Sequence, residues 1–376
     1  MAKVLGIVFA YAEKDTLREL TTKRTVASLP IAGKYRIIDF ILSGFVNSDI
    51  YDVSIIANHT YESLTNHIGT GKDWDLMRKN AGVHIHTPLA APGEAYAGMY
   101  RGRVDALARN LAAIRRNMSE YVILVGSNIV CCAIDYKKLL EVHIGRGDDI
   151  TAVYTRSMNG GKTVPMDAQV FNMDEDERIY EIYNNQDEAS DQDVAWSTGI
   201  YVMKKSLLEA LVAEAHANER YSFEKGVIQQ HLAQLKIRGS EYKKQLFEIS
   251  SVSGYMHANM NFLKSAYREK AFEHPIFTKV KDSVPAIYGD KCKVKHSLIA
   301  DGCIINGEVE NCVISRGVKI AEGSVVKNSI IMQDTEIMPN VSLSHVILDK
   351  DVIVRENRQI MGHESYPVVV EKGSIV

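Results

Sequence analysis

The chain has 376 residues, 46% of them hydrophobic and 24% charged, with a formal net charge of -3. That length exceeds what one core usually organises, so two domains are expected, and the near-balanced charge argues against a tail-driven nucleic-acid or membrane binder and for small-molecule or protein partners. The five cysteines, Cys131, Cys132, Cys292, Cys303 and Cys312, include no C-x-x-C pair, which argues against a disulfide framework or zinc knuckle and points to a reducing cytoplasm.

Lys3, the apolar run Val4 to Ala10 and the string Ala10-Tyr11-Ala12 imitate a short secretory signal, but VLGIVFA reads equally as the buried first strand of a parallel sheet. No other stretch approaches the length of a membrane span. From residue 3 to about 210, apolar strand runs alternate with amphipathic helical runs: VLGIVFA, then 38–47, DVSIIA at 52–57, 60–67, YVILVG at 121–126, 135–145 and ITAVYT at 150–155. Such alternation predicts a mostly parallel sheet covered by helices, with ligands at the carboxyl ends of its strands. A further strand, TGIYVM at 198–203, leads into helical stretches at 205–217 and 222–237. The α/β domain is expected to span 1–267, and 268–290, with Pro275, Pro285 and Gly289, reads as a linker.

From 291 to 376 the texture changes. HSLIADGCII from 296, NCVISRGVKI from 311, NSIIMQDTEI from 328 and SHVILDKDVI from 344 align at spacings of 15, 17 and 16 residues. Each carries a paired aliphatic step: Leu298-Ile299, Val313-Ile314, Ile330-Ile331 and Val346-Ile347. A strand, a turn and a strand at this period cannot bury an apolar side alone, so successive coils must stack into a β-solenoid. Periodicity alone leaves a β-sandwich of short strands as the alternative.

GKYRIIDF at 33–40, LSGFVNSDI at 42–50 and IGTGKDWDL at 68–76 resemble the glucose-1-phosphate adenylyltransferase (ADP-glucose pyrophosphorylase) family. YRGRVDAL at 100–107 is similar to its Y-x-G-T-A-D-A-[IV] segment, STGIYVM at 197–203 to its S-M-G-I-Y strand, and HPIFTKVKDSVPAIYG at 274–289 to its interdomain linker. The resemblance implies a Rossmann-like nucleotidyltransferase domain, a C-terminal left-handed parallel β-helix with hexapeptide-like repeats, a tetramer and a role in glycogen biosynthesis.

Such enzymes join a sugar 1-phosphate to the α-phosphate of ATP. The protein supplies position and charge, through a phosphate-cradling loop, cations and a carboxylate-held magnesium ion. The family's G-G-x-G-x-R-L loop corresponds here to Tyr11-Ala12-Glu13-Lys14-Asp15-Thr16-Leu17, with no glycine, two acids, and Thr16 in place of the arginine. Side chains obstruct the approach that bare backbone would allow. The lysine of K-P-A-V-P is Val26, and the threonine beside the expected adenine pocket is Arg103, long enough to fill that pocket itself. The metal-binding G-D-H triplet is matched by Gly126-Ser127-Asn128, with no acid before Asp135. The second metal string, H-D-F-G-K-D, becomes Tyr221-Ser222-Phe223-Glu224-Lys225-Gly226, and the sugar-phosphate lysine becomes Asn185.

The scaffold is kept and the chemistry is not. The resemblance therefore points to the family's regulatory, non-catalytic type of subunit, a pseudoenzyme with no catalytic residues and no metal site. Tyr100, Gly102, Arg103, Ser197 and Gly199 then mark a vestigial substrate pocket. The expected partner is a catalytic glucose-1-phosphate adenylyltransferase subunit in a hetero-oligomer, and magnesium is expected only for that partner. Lys23 and Arg24 stand at the family's N-K-R-A string, whose basic pair belongs to an allosteric anion site; they are candidates for a phosphorylated sugar effector, against the plain alternative of a solvated basic pair. Two other functions remain open: an active nucleotidyltransferase rebuilt around Arg18, Arg103 and Glu224, and a stand-alone effector-binding module.

His84 and His86 alternate in GVHIHTP and so share a strand face, as a metal pair or as structural residues. His296 and His345 fall in solenoid coils, where hexapeptide-repeat acyltransferases use a histidine base, although the coils lack long inserted loops. Cys131 and Cys132 read as buried packing, and Trp74 and Trp196 as core or pocket-wall aromatics.

Overall fold

The computed structural model describes residues 2–11, 16–79, 81–88, 99–157, 164–165, 168–185 and 193–376. They form two compact units, Met1–Glu13 with Phe40–Leu246, and Lys14–Asp39 with Phe247–Val376.

The first unit is organised on a nine-stranded sheet. In chain order its strands are β1 Val4–Phe9, β2 Asp52–Ile56, β3 Gly82–His86, β4 Tyr121–Gly126, β5 Ile150–Arg156, β6 Gln169–Met173, β7 Ile179–Asn184, β8 Ala195–Lys204 and β9 Ile237–Glu241. The main path runs β7-β6-β8-β4-β1-β2-β3, with β5 paired to β8 and β9 paired to β5. β1 lies parallel to β2 and β4, and β2 parallel to β3. β8 runs antiparallel to β4 and β5, so the sheet is mixed and only mostly parallel. The continuous apolar runs follow from burial on both faces, where no alternation is needed. VLGIVFA is the central strand β1, buried from Leu5 onward.

Glycine in that strand has a packing reason. A Cβ at Gly6 would come within 2.8 Å of the Phe45 ring, so Gly6 lets Phe45 sit against the strand, where it also stacks on Tyr136 with ring centroids 4.5 Å apart. Helix Tyr136–Arg146 starts where the Asp135 carboxylate accepts the Lys138 amide at 2.9 Å, and it ends at Gly147 in the left-handed region. Asp135 is thus a helix cap. The stretch 222–237, expected as one helix, breaks into a π-helical turn Glu224–Ile228 and a 3-10 turn Gln229–His231. Cys131, Cys132, Trp74 and Trp196 are buried, and burial pushes the Cys132 thiol well above its usual range.

In the second unit three five-stranded parallel sheets form a prism. The first runs from Ile287–Tyr288 to Ile353–Val354, the second from Lys293–Lys295 to Gln359–Met361, and the third from Leu298–Ile299 to Val368–Val370. This is the solenoid expected from the repeats, in the left-handed β-helix form that the resemblance implies. Its core is the inward column Ile305, Ile320, Ile337 and Val354 of the first sheet, with Val309, Val326 and Leu343 of the second and Ile314, Ile331 and Leu348 of the third. The fourth repeat is offset by one from its alignment by eye: Ile330 pairs with Ile347 and Ile331 with Leu348, a spacing of 17 like that of the preceding repeat.

Four successive coils place a residue at positive φ at one corner: His296, Asn311, Asn328 and His345. Asparagine and histidine are among the residues that tolerate this conformation. The first three side chains form a ladder, His296 Nδ1 to Asn311 Oδ1 at 3.0 Å and Asn311 Nδ2 to Asn328 Oδ1 at 2.6 Å, while His345 Nδ1 lies 3.1 Å from Ser344 Oγ. The two solenoid histidines are therefore corner residues. Helix Ser265–Ala271 reaches into the stretch expected as linker, and the first solenoid strand begins at Ile287. Among the described residues no helix is long and apolar enough to cross a membrane.

Candidate functional site

The parallel strands β1 and β4 end at Phe9 and Gly126. β8 runs the other way with Tyr201 opposite Leu124, so its early residues Ser197 and Gly199 reach the same end of the sheet. There β8 is irregular: its register against β5 shifts between Ser197 and Ile200, and Gly199 has φ +73°. The shift turns the Ser197 hydroxyl back to accept the Gly199 amide at 3.1 Å.

Into this end projects Arg103, the first residue of helix Arg103–Arg109. Gly102 fixes the approach, because a Cβ there would lie 2.4 Å from the Tyr221 carbonyl oxygen, while the Val104 amide donates to that same oxygen at 3.0 Å. The Arg103 guanidinium lies 5.3 Å from the Phe9 ring centroid, and its Nη2 would be 3.0 Å from a Cβ on Gly126 and 3.5 Å from one on Gly199. It therefore covers the glycines that would otherwise leave open backbone. Arg103 Nη1 donates to Glu224 Oε1 at 2.9 Å, with both side chains about nine-tenths buried. The Tyr201 hydroxyl donates to the same carboxylate oxygen at 3.2 Å and lies 3.1 Å from Ser197 Oγ. Burial, and next the Glu224 charge, hold the Tyr201 phenol well above its usual range, so it remains a neutral donor. Tyr100 lies to one side, its ring 5.6 Å from that of Tyr11, its hydroxyl accepting from Asn110 Nδ2 at 3.3 Å.

The structure thus brings Gly102, Arg103, Ser197 and Gly199 together, and adds Tyr201, which the sequence reading had only as a strand residue. Asn185 is turned inward, its Nδ2 3.4 Å from the carbonyls of Val164 and Pro165. The loop Ala12 to Asp15 lies outside the described residues. In the second unit Thr16 donates to the Ser250 carbonyl, and Val26 is buried in a 3-10 turn. Arg18 donates to the Tyr366 hydroxyl at 2.6 Å with its guanidinium 4.9 Å from that ring's centroid. Among the described residues no group of three His, Cys, Asp or Glu side chains is placed to hold a metal, and the one nearby carboxylate oxygen already accepts from Arg103 and Tyr201.

The second unit carries a separate cationic cluster. Lys23 is exposed, its Nζ 3.5 Å from the Lys372 carbonyl, but Arg24 is buried and holds both oxygens of buried Asp349 at 2.7 Å. The basic pair of TTKRT is therefore split, one cation outside and one inside. Burial, with the charges of Arg36 and Arg24, brings the Lys350 ammonium down to about 7 despite Asp349 beside it. Arg36 is lowered to about 10 by burial, with Asp39 opposing and Arg24 reinforcing the shift. Arg36 stood inside the GKYRIIDF string; Lys350 and Asp349 carried no such signal in sequence, because only coil stacking and chain folding bring them to Arg24.

The description "Nucleotidyl transferase" fits residues 7–265, and "GlmU-like, C-terminal hexapeptide" fits 283–366. The chain is 32% identical over 99% of its length to glycogen biosynthesis protein GlgD of Bacillus subtilis, covering 97% of that protein. The chain belongs to the glucose-1-phosphate adenylyltransferase family. Two further members show the spread: GlgD of Geobacillus stearothermophilus is 34% identical over 86% of this chain and 83% of its own length. Glucose-1-phosphate adenylyltransferase of Fervidobacterium nodosum is 30% identical over 96% of this chain and 87% of its own length. Within this glucose-1-phosphate adenylyltransferase scaffold, an arginine–glutamate ion pair stands at the carboxyl ends of the strands, where doubly wound sheets bind their ligands.

Proposed function

We propose that this chain is a regulatory subunit of glucose-1-phosphate adenylyltransferase with little or no turnover of its own, acting in glycogen biosynthesis by modulating ADP-glucose formation from ATP and glucose 1-phosphate. It works in the cytoplasm, in a hetero-oligomer, a tetramer, with a catalytic subunit that binds the magnesium. The names of the relatives in Bacillus subtilis and Geobacillus stearothermophilus support the glycogen role. The observation that carries the non-catalytic reading is the Arg103–Glu224 pair. A nucleotide at this end of the sheet would have to displace an ion pair that is already hydrogen-bonded and mostly out of water. Loss of a phosphate-binding cation or metal ligand costs several kcal/mol of transition-state stabilisation, and Thr16, Val26, Asn185 and Gly226 stand where four such groups are expected.

The three residues of a rebuilt site are committed elsewhere: Arg103 and Glu224 to each other, Arg18 to Tyr366. For the effector, a phosphorylated sugar, the support is the surplus of positive charge at Arg24, Arg36 and Lys350, with Lys23 as an exposed cation close by in sequence. Because Arg24 is already bound to Asp349, its part is to hold the cluster together.

The test is a pyrophosphorylase assay on this chain, on a catalytic homologue, and on the two co-expressed. No turnover from this chain alone, co-elution of the pair and altered kinetics are expected. Clear turnover from this chain alone overturns the proposal, as do separate elution and unchanged kinetics. Effector binding without any complex would assign the chain to a stand-alone effector module.

A further inference from the structure

At the opposite, amino end of β1 and β2 the first unit contains a cavity of about 660 Å³, which the regulatory reading does not use. Its volume lies within the usual range of small-molecule sites, roughly 300–1,000 Å³. His84 and His86 both line it, together with Arg116 at the end of helix Leu111–Arg116 and Lys3 just before β1. The sheet register sets this grouping. Asp52 and Ser54 of β2 pair with Gly82 and His84 of β3, and alternation along β3 puts both imidazoles on one face. Ser54 is buried, and its hydroxyl lies 3.2 Å from His86 Nε2, which fixes that ring.

The charges around the cavity are unevenly spent. Asp49 is paired with Lys137 at 3.4 Å, whereas Asp52 Oδ2 accepts from the neutral Asn117 Nδ2 at 2.7 Å and its Oδ1 is buried with no hydrogen-bond partner among the described residues. Arg115 is paired with Glu209 at 3.4 Å, whereas Arg116 and Lys3 have no carboxylate partner among the described residues. Two cations without a carboxylate partner among the described residues, two imidazoles and one carboxylate without a cation therefore share the cavity, and the balance is positive. An arginine fork with convergent cationic donors matches the several oxygens of a phosphate group. The cavity is larger than phosphate alone needs, and Val4, Ile50 and Leu140 give part of its wall an apolar surface suited to an organic body.

We propose that this cavity is a second binding site, for a phosphorylated small molecule of sugar size whose phosphate is held by Arg116, His84 and Lys3. His86, set by Ser54, closes the phosphate end. Burial lowers the His86 pKa, and the neighbouring charges of His84 and Arg116 lower it further. An anion among these groups opposes the last two effects while burial remains, so binding takes up a proton and tightens as pH falls below the ordinary imidazole value of about 6.5. The acids facing the same space are Asp49, paired with Lys137, and Asp52, held on one oxygen by Asn117.

The test is calorimetric titration of the full chain with glucose 6-phosphate and, separately, with inorganic phosphate, while histidine ring signals are followed by NMR. Saturable glucose 6-phosphate binding that shifts the His84 and His86 signals is expected, with at least a tenfold loss of affinity in Arg116→Ala and in His84→Ala. Lys243→Ala, an exposed cation of the same unit that does not line the cavity, should leave the His84 and His86 signals and their response to the ligand unchanged. Both lining residues are exposed, so the variants should fold, and the histidine shifts of the unaltered protein test the site without any substitution. No histidine shift, or wild-type affinity in Arg116→Ala, overturns the proposal. Equal affinity for inorganic phosphate overturns its claim on an organic body.

Discussion

The carboxyl end of the nine-stranded sheet and the cationic cluster of the solenoid unit are both built from arginines facing carboxylates, yet they end in opposite electrostatic states. At the sheet, one guanidinium meets one carboxylate and a neutral phenol, and the group is mostly buried. The charges cancel and the space is filled. In the solenoid unit Asp349 is consumed by Arg24, Lys350 is lowered by burial and next by the charges of Arg36 and Arg24, and Arg36 is lowered by burial against the pull of Asp39. A region that neutralises itself gains little from a ligand's charge, whereas one with surplus positive charge is stabilised by any anion that enters. The difference is what a subunit would need if it had lost its substrate and kept its effector.

The largest effect expected from breaking this comparison is at Arg24. Arg24→Ala leaves the Asp349 carboxylate buried without its cation, and stranding one member of a buried pair costs about 3–5 kcal/mol. Urea unfolding should show that loss in the solenoid unit, and Arg24→Met with Asp349→Leu should recover most of it. A loss under about 1 kcal/mol would mean that the pair is not the buried strut described here.

Next in size is Arg103. Arg103→Ala leaves Glu224 with the Tyr201 hydroxyl as its remaining donor, a cost of about 1–3 kcal/mol, and it vacates the space over Gly126 and Gly199. ATP affinity, measured by calorimetry, should rise about tenfold, or about 1.4 kcal/mol, while turnover stays absent because Thr16, Val26 and Asn185 still lack the charges for it. Unchanged ATP affinity would mean that the ion pair is not what closes the pocket.

The solenoid cluster makes a prediction in pH. The folded Lys350 loses its proton near 7, whereas in the unfolded chain a lysine holds its proton to roughly pH 10. Between those values the unfolded state binds more protons, so stability rises with pH, by up to about 1.4 kcal/mol per unit. Below pH 7 the cost of burying the charge is present in full. Lys350→Met should be more stable than wild type at pH 7 and should flatten the slope between pH 7 and 10. A saturating phosphorylated sugar should flatten it as well, by raising the Lys350 pKa. Identical slopes in the two proteins would remove the surplus charge from the comparison.

How much of this was legible in sequence differs between the two regions for a physical reason. The sheet-end residues sit in or beside strings of strong pattern, so Gly102, Arg103, Ser197 and Gly199 could be named, and Glu224 was visible as the one carboxylate nearby. Their pairing was not legible, since it depends on the register shift in β8 and on a π-turn that propensity does not signal. The solenoid was legible from aliphatic steps because each coil repeats one packing requirement, although the offset at Ile347 shows that a fixed repeat pattern slips where turn lengths vary. The cluster was half hidden. Lys23 and Arg24 are adjacent in sequence, and nothing local says that one is exposed and the other buried, because Asp349 is 325 residues away.

The smallest effect separates what the solenoid carries from what it merely spaces. His296 and His345 occupy the corner where Asn311 and Asn328 stand in the other coils, all at positive φ. A histidine there is in a strained region that asparagine tolerates at least as well, and its ladder contact from Nδ1 to Asn311 Oδ1 can be replaced by an amide donor. His296→Asn should therefore change unfolding free energy by less than about 0.5 kcal/mol and leave the pH slope due to Lys350 and any effect on a catalytic partner intact. If that substitution abolished an activity of the chain, the corner would be chemistry rather than geometry, and the solenoid unit would hold a second kind of site that the cluster around Lys350 does not explain.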